Sequence, residues 1–114
     1  MSDCVFCKII NGEIPSAKVY EDEDVVAFHD ISKQAPVHVL IVPRAHVGSV
    51  SQAERLPDAV IAKLWKVAAR VAAELGVAES GFRLVTNCGP DARQSVPHWH
   101  IHLLGGEELS IEMG

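Results

Sequence analysis

Three histidines alternate near the C-terminus, in the run Pro97-His98-Trp99-His100-Ile101-His102-Leu103. In an extended strand alternate side chains share a face, so His98, His100 and His102 are expected on one side and Trp99, Ile101 and Leu103 on the other. One face is then chemical and the other is core. Three readings compete. A surface strand with incidental imidazoles is the weakest, because the run has a regular period and an apolar back. A metal site built from all three meets a geometric objection, since positions i and i+4 of a strand stand roughly 13 Å apart at a rise of about 3.3 Å per residue. The third reading is nucleophilic catalysis. A neutral imidazole attacks phosphorus, forms a phospho-histidine, and water later opens it. With an ordinary pKa near ~6.5, histidine is largely neutral at physiological pH and needs little activation.

A second constellation is Cys4-x-x-Cys7, one of the few uses the chain makes of its three cysteines. The spacing suits metal binding or redox chemistry, and two thiolates supply half of a tetrahedral zinc site. No βαβ pattern surrounds the pair, which disfavours a thioredoxin-like role. Cys88 stands alone and reads as a small buried hydrophobe.

The elements that must position these groups follow from periodicity. A short apolar helical turn is expected from Cys4 to Asn11, closed near Gly12. Lys18 to Glu21 and Val25 to His29 are β-prone runs joined by acidic residues, a hairpin. Val37 to Val42, apolar except for His38 and bracketed by Pro36 and Pro43, is expected to be a central strand buried on both faces. From Pro57 to Leu75, Val60, Ile61, Leu64, Trp65, Val67, Ala68, Val71, Ala72 and Leu75 recur at helical spacing. Pro57 suits the first turn of that helix and Gly76 the position past its end. Strands are expected again at Phe82 to Asn87 and His98 to Leu104, with the loop Cys88 to Pro97 between them. The result is a single α+β domain over 1–114, with a mostly antiparallel five-stranded sheet, one long helix and a short N-terminal helix.

Composition narrows the function. The net charge of −5 gives no cationic field for nucleic acid, although a local nest of donors can still hold a small phosphate ligand. No apolar run approaches the roughly 20 residues of a membrane span, and the N-terminal segment does not read as a targeting signal, so a cytoplasmic location is expected.

The segment Gln94-Ser95-Val96-Pro97-His98-Trp99-His100-Ile101-His102-Leu103-Leu104-Gly105-Gly106 resembles the signature of the histidine-triad (HIT) superfamily. Phe6-Cys7-Lys8-Ile9-Ile10, Gly12-Glu13-Ile14-Pro15, Ala27-Phe28-His29-Asp30-Ile31, Gln34-Ala35-Pro36 and Ile41-Val42-Pro43-Arg44-Ala45-His46 extend the likeness to its Hint branch. The resemblance implies the HIT-like fold and a hydrolase that opens the phosphorus–nitrogen bond of purine nucleoside monophosphate amides without a catalytic metal. It implies His100 as nucleophile, His102 on the phosphate oxygens and Ser95 at the leaving group. Asn87, Gln94 and Val96 would cup the phosphate, Asp30 would hold the ribose, and Phe6, Ile9, Phe28 and Ile31 would form the base slot.

Bacterial-type members with the N-terminal cysteine pair complete a structural zinc site at the positions of His46 and His98, so Cys4, Cys7, His46 and His98 are its expected ligands. The branch also implies a homodimer. Dinucleoside polyphosphate hydrolysis is the rival within the superfamily, and a nucleotide-binding regulatory module with little turnover is the rival outside enzymology. A transferase is disfavoured by His102, where that branch has glutamine. Ala92 and Arg93 depart from the glycines common before Gln94, and the C-terminal segment lacks the aromatic tail of some relatives.

Overall fold

The computed structural model describes residues 3–112, so both extreme ends of the expected domain lie outside the described residues. Helix α1 is Val5–Ile10, β1 Lys18–Glu21, β2 Val25–His29, β3 Val37–Pro43, α2 Asp58–Glu74, β4 Phe82–Val85 and β5 Ile101–Gly105. The five strands form one sheet in the order β1-β2-β3-β5-β4. Every neighbouring pair is antiparallel. The expected α+β architecture is therefore present.

The sheet's two faces are packed differently. Val25, Ala27, Val39, Ile41, Ile101 and Leu103 face α2 and meet Leu64, Val67, Ala68, Val71 and Ala72. Each of the larger of these side chains contributes roughly 1.5–3 kcal/mol on full burial. The alternate residues Val26, Phe28, Leu40 and Val42 face α1 and pack on Phe6, Ile9 and Ile10. Central β3 is thus covered on both sides, as its apolar run requires.

Sequence and structure differ at four places. Trp65 is 42% exposed, because one residue beyond Leu64 turns it about 100° away from the buried stripe. Pro57 is the extended N-cap of α2 and sits just ahead of the first turn. Strand β4 stops at Val85, where Thr86 turns its hydroxyl to the His100 carbonyl at 2.8 Å and accepts the Trp99 indole N–H at 3.1 Å. Strand β5 begins at Ile101 and excludes His98 to His100, since the backbone N–H of His98 folds back on the Val96 carbonyl at 2.8 Å and that of Trp99 bonds to Val47.

Candidate functional site

The α1 face of the sheet opens into a cavity of about 630 Å³, a size suited to a small-molecule ligand. His102 projects into it from β5. It lies opposite Leu40 of β3 and Val85 of β4, so all three share that face. His100 enters from the unpaired segment before β5, and Asp30, Ser32, Gln34 and His38 come from the end of β2 and the start of β3. The loop after β4 brings Asn87, Arg93, Ser95 and Val96, while Phe6 of α1 lends an apolar wall.

Hydrogen bonds fix which nitrogen of each imidazole carries the proton. The Gln34 backbone N–H donates to His38 Nδ1 at 3.0 Å, so the His38 proton resides on Nε2. From there it is directed at His102 Nδ1, 2.9 Å away. His102 Nδ1 is consequently an acceptor, and its Nε2 keeps the N–H. His100 has the opposite arrangement. Its Nδ1–H donates to the His98 carbonyl at 2.7 Å, which leaves the Nε2 lone pair available. Phe6 meets the His100 ring edge to face at 5.0 Å.

Burial keeps these rings neutral. Desolvation pushes the His102 pKa down to about 4, helped by His100 and His38. Desolvation also lowers His100 and His38, and only Asp30 and, for His100, the His98 carbonyl oppose it. A neutral ring is the form required both to offer a lone pair at His100 and to hold one proton at His102.

His98 points elsewhere. It is fully buried, its Nε2–H donates to the Pro43 carbonyl at 2.9 Å, and its Nδ1 faces Cys4 Sγ at 3.4 Å and Cys7 Sγ at 3.6 Å. His46 Nδ1 lies 3.1 Å from His98 Nδ1 and 3.3 Å from Cys7 Sγ. Bonds of about 2.1 Å to nitrogen and 2.3 Å to sulfur at tetrahedral angles put nitrogen–nitrogen and nitrogen–sulfur edges at ~3.4 and ~3.6 Å. The four donor atoms are spaced like a tetrahedral zinc shell. Cys4 also caps α1, its sulfur accepting the Cys7 backbone N–H at 3.4 Å, so the helix start and the metal-competent cluster are one construction.

Asp30, His38 and His102 also bring three ligand-type atoms within 4.8 Å of one another. Their proton arrangement opposes a metal there. His38 Nε2, the nitrogen facing the other two, bears the proton, and its second nitrogen is taken by Gln34.

Of the residues singled out in the sequence, Phe6, Asp30, Asn87, Ser95, Val96, His100 and His102 line the cavity. Ile9 and Phe28 lie in the core behind it, and Ile31 is 99% exposed and forms no wall. Gln94 braces the loop. Its amide donates to the carbonyls of Gly48 and Val96 and accepts the Gly89 N–H. Cys88 is exposed and 3.3 Å from Ser49 Oγ, because the chain has left the sheet by then; the buried-hydrophobe reading is corrected. The sequence pattern assigns no role to His38, which interrupts an otherwise apolar strand. Its signal was there, since a buried histidine amid Val, Leu and Ile needs partners.

The family profile for the HIT domain matches residues 11–109. The chain belongs to the HIT-domain family. It is 47% identical over 106 residues to a HIT-like protein of Azospirillum brasilense, covering 92% of this chain and 87% of that one. It is 45% identical over 115 residues to a protein of Arabidopsis thaliana named adenylylsulfatase HINT1, covering 99% and 78% of the two chains. A solved HIT family hydrolase from Clostridium thermocellum superposes with a TM-score of 0.90 at 46% identity, over 99% of this chain and 98% of that one.

Proposed function

We propose that this HIT-family protein is a nucleotide hydrolase that cleaves the phosphorus–nitrogen bond of purine nucleoside monophosphate amides. One observation carries the reading. His100 donates from Nδ1 to the His98 carbonyl, so its neutral ring turns the Nε2 lone pair to a cavity where His102 holds an N–H.

In the first step His100 Nε2 bonds to the α-phosphorus while the phosphorus–nitrogen bond breaks. The amine leaves with a proton from the hydroxyl of Ser95, a residue that lines the cavity. His102 Nε2–H donates to a phosphoryl oxygen as negative charge builds there. Water then attacks phosphorus, breaks the bond to His100, releases the nucleoside monophosphate and restores the proton to Ser95. Asp30 has one carboxylate oxygen on the Ser32 N–H at 2.8 Å and accepts ribose hydroxyls with its remaining capacity. The purine lies against Phe6, and Asn87 and Val96 close over the phosphate while Gln94 holds their loop.

Cys4, Cys7, His46 and His98 would hold a zinc ion, which supplies no reaction chemistry and ties α1 to the segment bearing His100. A relative from Zea mays, 47% identical over 115 residues, is named a 14 kDa zinc-binding protein. The protein works as a homodimer, a reading supported by the open outer edge of β4 and by half-exposed Trp65 on α2.

The test is to trap the nucleotidyl adduct with an adenosine phosphoramidate and map it by peptide mass spectrometry. The label is expected on His100. Labelling elsewhere, or turnover that survives His100→Ala, refutes the mechanism. The Arabidopsis relative's name favours one further substrate, adenylyl sulfate, which the same attack opens at a phosphorus–oxygen bond. Relative kcat/KM values for the amide and the sulfate anhydride separate the two.

A further inference from the structure

Among the described residues Arg93 is the one lysine or arginine that lines the cavity. No carboxylate among them pairs with it, as none pairs with Lys8, Lys33, Arg55, Lys66 or Arg83, and it is the place in the cavity wall that sets Arg93 apart from them. Its backbone is left-handed, at φ 61° and ψ 41°, just past the turn Pro90–Ala92. That conformation costs a non-glycine residue roughly 1–2 kcal/mol. A strained arginine beside a ligand cavity, in a chain of net charge −5, calls for a use of its charge.

Sheet register tells which part of a substrate it meets. Val37 pairs with Gly105 and His29 with Val39, so Asp30 lies toward the end of the sheet where β5 finishes. The Arg93 loop leaves β4 just beyond Val85, the partner of His102, and enters β5 at Ile101, toward the end where β5 begins. His100 and His102 come between. A nucleotide with its ribose on Asp30 and its α-phosphate on the histidines therefore sends its leaving group toward Arg93 and Ser95.

Resting on the reading of the site as a phosphoramidase, we propose that Arg93 selects, among nucleoside 5′-phosphoramidates, those whose leaving group carries a carboxylate beside the scissile nitrogen. The bond changes are those already given. Water is consumed, and the products are a nucleoside monophosphate and a free amino acid. The guanidinium fork meets the carboxylate in two parallel N–H···O bonds.

The experiment uses two matched substrates, the adenosine 5′-phosphoramidates of glycine and of glycinamide, which differ in that one charge. The ratio of their kcat/KM values is measured in the wild type, Arg93→Gln, Arg93→Lys and Arg93→Glu. Because each ratio is internal to one protein, a variant's overall activity or folded fraction cancels. An exposed but bidentate pair predicts a glycine preference that falls about three- to tenfold in Arg93→Gln, is only partly kept in Arg93→Lys, which retains the charge without the fork, and is lowest in Arg93→Glu. Rising salt should erode the wild-type preference. Turnover of both amides at one ratio in all four proteins overturns the role of Arg93 and leaves the phosphoramidase reading standing. Failure of the wild type to hydrolyse either amide overturns both.

Discussion

His102→Gln should flatten the acid sensitivity of folding. In the folded protein burial holds the His102 pKa at about 4, against about 6.5 in an unfolded chain. The folded pKa is the lower one, so the unfolded chain takes up the proton first as pH falls. The stabilising contribution of neutral His102 is complete above pH ~6.5 and is lost between there and about 4. Some 2.5 pKa values at 1.36 kcal/mol each set an upper limit of about 3 kcal/mol, of which the stretch from about 6.5 down to pH 5 accounts for about 2 kcal/mol. The assay is urea unfolding at pH 7 and pH 5 for wild type and His102→Gln, both in excess zinc. Metal loss in acid affects the two alike and cancels in the comparison. The wild type should lose about 2 kcal/mol more than the variant over that interval. Equal losses in the two proteins would show that His102 titrates normally in the fold and refute the neutral-donor assignment.

Three further outcomes are expected. His38→Phe removes the donor 2.9 Å from His102 Nδ1, so kcat should fall about 10- to 100-fold, with nitrogen NMR showing mixed His102 tautomers; an unchanged tautomer would break the link. Protein purified without chelator should hold close to one zinc per chain by elemental analysis, and Cys7→Ser should lose it and melt at lower temperature; zinc retained at full stoichiometry in that variant would remove Cys7 from the site. Sedimentation equilibrium at micromolar concentration should return twice the chain mass, whereas a monomer over the whole range would exclude the dimer.

The sheet and α2 were legible because their residues obey one rule along a continuous stretch. Leu64, Val67, Ala68 and Val71 keep helical spacing, and Val37–Pro43 is apolar with proline at its end. What could not be read depends on partners distant in sequence. Nothing near His38 announces that Gln34 will take one ring nitrogen and His102, 64 residues away, the other. Ile31 and Phe28 are equally apolar in the sequence, yet one is bare and the other buried, because the chain leaves β2 after His29. Cys4 and Cys7 declared themselves by spacing, but only the resemblance supplied His46 and His98, which the fold brings within ligand distance of them.

A regular strand through His98, His100 and His102 would have aimed three identical side chains at one cavity. The fold avoids this by delaying strand pairing until Ile101, so the backbone at His98 turns against Val96 and the ring swings to the cysteines. Each ring then commits one nitrogen to a different neighbour. His98 gives Nε2–H to Pro43 and turns its Nδ1 lone pair to the cysteines; His100 gives Nδ1–H to His98 and keeps its lone pair at Nε2; His102 accepts at Nδ1 and keeps its N–H at Nε2. The first two assignments meet in one residue, since the His98 ring belongs to the metal-competent cluster while its carbonyl orients His100. Holding the His98 ring therefore also holds the acceptor that sets the His100 tautomer, and in the proposed mechanism a site with no part in the chemistry fixes the nitrogen that performs it.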